Sequence, residues 1–217
     1  MLLFGAGLLL RTFMAVDRVD PGYRANQVLT MMVDPLGSKY PTDESLLQFF
    51  DAIEHEVRSL ANVGGIAWTS SLPMGGSVQD QLAFDIVGDA PFEANRRPAT
   101  DYQVVSPSYF TTLDLPILAG RGFDEHDTKA TVPICVVNEA FVRGYLRGRS
   151  PIGVRIALRP PDAPQAKPVV REIIGVARQV KRRPDELEEV LQMYVPLAQD
   201  PLDDMPASHP LLIPPRV

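Results

Sequence analysis

The sequence predicts an α+β fold with mixed sheets, in which strand-helix-strand units sit beside hairpins and the chain divides into two subdomains. Three observations predict it. Leu46, Phe49, Phe50, Ile53, Val57 and Leu60 recur at three- and four-residue steps between short apolar runs at 28–33 and 66–72, the pattern of an amphipathic helix flanked by strands. Apolar and polar residues roughly alternate over 82–87 and again over 100–105, the two-residue period of half-buried strands. The 21 prolines among 217 residues are about twice the average usage of roughly 5 %, so elements are short and turns are many.

Taken in order, Met1 to Leu10 is apolar until Arg11 interrupts it. Ten residues are half of the roughly 20 that a spanning helix needs. The run fits a signal-peptide core, a buried helix or the end of a transmembrane helix, and the lack of a basic flank favours the last. Residues 1–18 are therefore expected to be the end of a truncated membrane helix. Val19-Asp-Pro-Gly-Tyr23 is a turn, since proline presets its first central dihedral and Gly22 takes the second. The strand Val28–Val33 ends at Asp34-Pro35, where proline removes a ladder donor. Thr42 caps a helix running to about Leu60, with Asp43 and Glu44 in its positive first turn. Ile66–Leu72 closes the β-α-β unit between Gly64-Gly65 and Pro73-Met-Gly-Gly76.

Residues 77–98 fall between this unit and the next as an insertion or hinge, although 82–87 reads as a strand. After the strand 100–105, Ser106-Pro107 opens a short helix through Tyr109, Phe110 and Leu113 that Pro116 stops. Gly120-Arg-Gly122 is a turn, and Pro133–Val137 is a strand. Asn138 caps a helix carrying Phe141, Val142, Tyr145 and Leu146, closed by Gly148 and Pro151. Strands at 153–158 and 172–176 flank a proline-rich hairpin loop, a short helix lies near 185–191, and Met193–Val195 is the last strand. The tail 201–217 holds five prolines and reads as irregular.

The net charge of −6 gives no general attraction for nucleic acid or an anionic membrane surface. The single cysteine, Cys135, forms no intramolecular disulfide and sits in an apolar run, as a buried structural thiol does. No Gly-x-x-x-x-Gly-Lys-Ser/Thr loop occurs. Gly5-Ala-Gly7 lacks both the preceding strand and the third glycine of a dinucleotide site. Asp124-Glu125-His126-Asp127 gathers metal-ligating side chains, yet contiguous residues rarely converge on one ion, so a solvated acidic turn is expected. His55-Glu56 lacks the second histidine of a zinc-protease helix, His209 lies in the tail, and no Gly-x-Ser-x-Gly elbow is present. Met31-Met32 and Phe49-Phe50 read as core, and Lys181-Arg182-Arg183 as a solvated turn. No catalytic, cofactor-binding or metal-binding residue is assigned, and no cofactor is expected.

Several segments in order resemble the MacB-like periplasmic core domain of ABC transporter permeases of the macrolide-exporter, lipoprotein-release and FtsX-like kind. Gly5-Ala-Gly-Leu-Leu-Leu-Arg-Thr-Phe13 is similar to the end of the family's first membrane helix, and Val19-Asp-Pro-Gly-Tyr23 to the approach to its first strand. Val105-Ser-Pro-Ser-Tyr-Phe110 with Leu118-Ala-Gly-Arg-Gly-Phe123 resembles the central signature. Val137-Asn-Glu-Ala-Phe141, Ser150-Pro-Ile-Gly153, Glu172-Ile-Ile-Gly-Val176 and Tyr194-Val-Pro196 continue it. Ser108 stands where the family often has glycine.

The resemblance implies a core domain over 19–200 with a porter-like and an inserted hairpin-rich subdomain. It also implies a non-catalytic role: coupling ATP hydrolysis by a partner ATPase to export or release of a substrate, at the periplasmic side of the inner membrane. Expected partners are the ABC ATPase subunit through membrane segments absent from this chain, a second permease subunit, the membrane and a periplasmic adaptor, with no nucleic acid. Two other readings stay open. One is a secreted or anchored extracytoplasmic ligand-binding module. The other is an extracytoplasmic hydrolase whose separated acids, such as Asp85, Asp101 and Glu172, converge in a deep pocket.

Overall fold

The computed structural model describes residues 22–23, 28–33, 35, 39–72, 80–93, 95–159, 167–181, 189–200 and 209–213. The expected membrane-helix end at 1–18, Pro73–Gly76 and the proline-rich loop at 160–166 lie outside them, as do residues 185–188 of the expected helix near 185–191, whose last three residues are not helical.

Helix α1, Asp43–Arg58, begins where the sequence places it. The Thr42 hydroxyl accepts from the Ser45 amide at 3.2 Å and the Ser45 hydroxyl accepts from the Thr42 amide at 3.2 Å, so two otherwise orphaned donors are satisfied. Leu46 and Phe50 are buried, while Leu47, Phe49, Ile53 and Val57 pack partly against the same core. Leu60 does not join them. The helix ends at Ser59 and the chain reverses through Asn62 at φ 72°, which leaves Leu60 56 % exposed.

Strands β1, Leu29–Val33, and β2, Ala67–Trp68, lie on either side of β10, His209–Ile213, in a three-stranded sheet. Both pair antiparallel with β10, so β1 and β2 are parallel to each other. The β-α-β unit is therefore present with a third strand threaded through it. That third strand departs from the irregular tail expected over 201–217. Prolines bound Leu211-Leu212-Ile213, and Pro210 faces Met32 of β1 beyond the reach of the two-residue β2, where its missing donor breaks no ladder on that side. Strand β2 is shorter than the expected 66–72 because Thr69 and Ser71 turn on each other, the Thr69 hydroxyl donating to the Ser71 carbonyl at 2.8 Å.

The larger sheet runs β5-β8-β6-β9-β4-β3-β7. Its strands are β3, Asp80–Ile86; β4, Ala99–Val105; β5, Ile117–Gly120; β6, Ile134–Asn138; β7, Arg155–Arg159; β8, Val169–Ala177; and β9, Gln192–Pro196. β7 also pairs with β8 through Leu158↔Val169 to Arg155↔Glu172, whereas β5 takes the other end of β8 at Gly175–Ala177. Six strands thus close on themselves, β8-β6-β9-β4-β3-β7, and closure removes open edges. The expected insertion at 77–98 is corrected here: β3 sits in the ring between β4 and β7. The turn after it is tied down by the Asp85 carboxylate, which accepts from Arg97, Arg159 and the Phe92 amide at 3.2 Å each.

Strand β5 is also unanticipated, since Gly120 reads as a turn. Gly120 has φ +70°, and a Cβ there would lie 2.1 Å from the Ile174 carbonyl oxygen, while one on Gly175 would lie 2.2 Å from that of Arg121. The two glycines let the β5 and β8 backbones close up. Helix α2, Tyr109–Thr112, forms as expected but without a side-chain cap. Helix α3, Glu139–Tyr145, is capped as expected by Asn138, whose side-chain oxygen accepts from the Phe141 amide at 3.0 Å.

Alternation along the strands sorts the core into two layers. Cys135 and Val137, with Met193 and Val195, belong to the layer containing Phe84, Phe141, Leu46, Phe50 and Trp68. Ile134, Val136 and Tyr194 belong to the one containing Tyr109, Phe110 and Phe123. The first layer runs without a break from the ring into α1 and β2, so among the described residues the small sheet has no separate core.

Candidate functional site

The place where the small sheet meets the ring is densely hydrogen-bonded. Thr69 bridges to Val105 of β4. The Trp68 amide donates to the Ser106 hydroxyl at 3.0 Å, the Ser108 hydroxyl donates to the Ile66 carbonyl at 2.6 Å, and the Val104 amide donates to the Ser70 hydroxyl at 3.0 Å. Ser106 and Ser108 therefore fasten β2 to the ring, and Ser106 is not the helix cap its sequence context predicts. Beneath them the buried Gln103 amide donates to the Thr69 hydroxyl at 2.7 Å, the Ser71 carbonyl at 2.6 Å and the Tyr109 hydroxyl at 3.3 Å. Buried and satisfied, such a network costs little where it stands and much if one member is removed.

Beside the junction a cleft of about 660 Å³ opens between α1 and the ring. Its apolar wall is built from Leu47, Phe50, Trp68, Pro107, Leu197 and Ala198, and its charged rim from Asp51, Glu54, His55, Arg58 and Glu125. Asp51, Glu54, His55 and Arg58 are spaced along the polar face of α1 by the same periodicity that buries Leu46 and Phe50 on the other, and Glu125 comes from the loop after β5. The Arg58 Nε donates to Glu54 at 3.0 Å one helical turn away. The Phe50 and Trp68 rings touch with centroids 4.5 Å apart, tilted by 49°. The Trp68 indole N–H is buried without an acceptor.

A second polar cluster lies where the chain leaves β9. Arg171, 4 % exposed, donates to Asp200 at 3.2 Å, to the Tyr102 hydroxyl at 3.1 Å and to Gln199 at 3.2 Å; Tyr102 in turn donates to Asp200. Burial holds the Tyr102 phenol well above its ordinary range, so it stays a neutral donor. The cluster pins the turn Leu197–Gln199 to β4 and β8.

The residues weighed from sequence take other roles. In the acidic turn, Arg121 reaches Asp127 at 2.7 and 2.8 Å and Asp124 at 3.2 Å. These bonds hold the Asp127 carboxyl below the usual carboxylate range. The His126 side chain is 95 % exposed, and no group of three metal-capable side chains occurs among the described residues. Burial pushes the Cys135 thiol up to about 12, the opposite of an activated nucleophile. Asp85 is held by two arginines, and Asp101 accepts from Gln81 at 3.0 Å. Gln81 and Asp101 are register partners, and Asp85 lies four residues further along β3, about 13 Å at the usual rise. Neither acid lines the cleft, nor does Glu172, so these acids do not converge there. Of the pairs read as core, Phe49-Phe50 packs as expected, but Met31 and Met32 are 45 % and 62 % exposed on β1. Arg182 and Arg183 lie outside the described residues.

The cleft itself went unread in the sequence. Its walls come from five separated stretches, and the signals were a lone tryptophan and the Ser-Pro-Ser run after β4.

The described residues form an α+β domain with a small sheet fused to a closed ring. Its fold is that of a known one. The periplasmic region of MacB from Actinobacillus actinomycetemcomitans superposes with a TM-score of 0.54 at 11 % identity, over 92 % of this chain and 79 % of that one. A domain of a putative permease from Porphyromonas gingivalis gives 0.47 at 12 % identity over 76 % and 67 % of the two chains. The extracellular domain of the ABC-type transporter YknZ from Gram-positive bacteria gives 0.48 at 13 % over 84 % and 82 %. No protein-family model matches the sequence, and neither does any curated protein.

Proposed function

We propose that this chain is the extracytoplasmic domain of an ABC transporter permease subunit, which passes motion driven by a partner ATPase to a substrate outside the cytoplasm and performs no chemistry itself. The observation that carries the proposal is the fold shared with the periplasmic region of MacB across nine-tenths of the chain. The ordered motifs from Val105-Ser-Pro-Ser-Tyr-Phe110 to Tyr194-Val-Pro196 support it independently, because they fall at the junction loop, at β5 and its neighbouring turn, and at β9. In this reading residues 1–18 end a membrane helix, 19–200 form the core domain, and the subunit works as a dimer at the inner membrane beside a periplasmic adaptor. The small sheet with α1 is assigned as the porter-like subdomain and the ring as the hairpin-rich one. No helix among the described residues is long and apolar enough to cross a membrane, so the tether is assigned to sequence outside them.

The test is recovery from membranes. The gene, expressed with its native flanking sequence and a tag, is expected to remain in the membrane fraction after a high-salt wash and to bring an ABC ATPase subunit with it on purification in detergent. Recovery of the tagged chain in the soluble fraction without an ATPase would contradict the proposal. The cleft of about 660 Å³ favours a second reading, a ligand-binding module without an ATPase, and that outcome would support it.

A further inference from the structure

We propose that the free edge of β1 is the docking site for a fourth strand, antiparallel to β1, carried by a helix that packs beside α1, both supplied by sequence that follows β10 in the same polypeptide. The edge itself is the first observation. Strand β5 is an edge with a register shift and a left-handed glycine, Gly120, and β2 is only two residues long. Irregularity and shortness both discourage further pairing. Strand β1, Leu29-Thr-Met-Met-Val33, has no charge, no proline and no register shift. Its side away from β10 has no strand partner among the described residues.

The second observation is the face. Leu211 of β10 lies opposite both Met31 and Trp68, so Leu29, Met31 and Val33 share one face of the sheet with Trp68. The core that includes Leu46 and Phe50 of α1 takes in Trp68 and Val33. It leaves Leu29 65 % and Met31 45 % exposed, an uncovered apolar strip on the face that α1 occupies.

Handedness says what fills it. Strands β1 and β2 with α1 form a parallel crossover with β10 in its gap, and such crossovers are right-handed in about 98 % of cases. β10 runs the opposite way to β1 and β2. A right-handed crossover that starts on β10 and keeps its helix on the face of α1 must therefore step the other way, past β1. Its strand then lies on the free edge of β1 and its helix covers Leu29 and Met31. A second copy of β1 on the same edge brings no helix to that strip. The crossover takes a dozen or more residues. The periplasmic region of MacB has such length to spare, since 79 % of it is matched and about a fifth is not.

The inference rests on the topology of the sheet and not on the permease reading, which ATPase recovery tests. Hydrogen exchange is compared by mass spectrometry in the 217-residue chain and in the product of the gene with its native flanking sequence, with β6 of the ring as the internal reference. Peptides over Leu29–Val33 are expected to exchange about tenfold more slowly in the longer product. Met31→Lys separates coverage from local effects. In the 217-residue chain the new charge stays in water and is expected to leave exchange of β1 and β10 unchanged. In the longer product it is desolvated under the helix and is expected to speed both about tenfold. Equal exchange of β1 in the two proteins, an equal effect of Met31→Lys in both, or a gene product no longer than 217 residues overturns the proposal. So does protection of β1 that rises with the concentration of the shorter chain, which assigns the edge to a second copy.

Discussion

The ring and the small sheet are held together by different means. In the ring every strand of the closed set has a partner on both edges, two apolar layers pack on its two faces, and the Arg171–Tyr102–Asp200 cluster fastens its end. The small sheet has a two-residue strand at one edge. At the other edge is β1, on which Leu29 and Met32 are 65 % and 62 % exposed. Among the described residues its apolar contacts are borrowed from the ring's own layer and its polar hold is the junction at Gln103. One unit is thus self-sufficient and the other conditional. The proposed role in passing on motion would use that inequality, because elements that move are drawn from the low-stability end of a structure.

The comparison breaks most sharply at Arg171. Arg171→Met leaves the buried Asp200 without its counter-charge and is expected to cost about 3–5 kcal/mol. Chemical denaturation should show that loss, with amides of β4 and β8 exchanging faster together with those of the small sheet. Protection kept in the ring would show that the cluster is not its fastening. Gln103→Leu removes the junction's donor from three acceptors and should cost about 1–3 kcal/mol. Here hydrogen exchange is expected to divide the molecule, with Ala67 and Trp68 losing protection while Val136 and Tyr194 keep theirs. Uniform loss would mean that the two units open as one.

Smaller effects refine the same contrast. Thr42→Ala deletes the α1 cap and should cost about 1 kcal/mol, read as earlier exchange in α1 alone. Asp127→Asn addresses the ring's surface. The Arg121 bonds lower the folded carboxyl below its ordinary value of 3.8, so their contribution is full above that value and disappears as pH falls through the lower folded one. The variant should therefore be less stable than the parent at pH 7, by at most about 1 kcal/mol since Arg121 is half exposed. The difference should close as the pH drops below 3.8. A difference that persists in acid would assign the effect to shape and not to charge.

What the sequence disclosed follows from how local each signal is. Thr42 followed by a three-four apolar stripe, and Asn138 before Phe141, are cap and face within one or two turns, and both helices appear where those residues put them. Cys135 in its apolar run is buried as read. Strand β10 was missed because its partners lie some 140 to 180 residues upstream and its prolines look like punctuation. Strand β5 was missed because three of its four residues are exposed and Gly120 serves close backbone approach, which a sequence pattern cannot separate from a turn. The cleft depends on the meeting of α1, β2 and the ring, and such long-range packing leaves no periodicity to read.

The central claim, that this domain faces the outside of the cytoplasmic membrane, is tested most directly by the sidedness of one engineered thiol. Val132 is 64 % exposed, and the native Cys135 is buried with its thiol pushed up to about 12, so it contributes no background. Val132→Cys, in the gene with its native flanking sequence, should react with a membrane-impermeant maleimide in intact spheroplasts to the same extent as after lysis. Reaction only after lysis would place the domain in the cytoplasm and contradict the account.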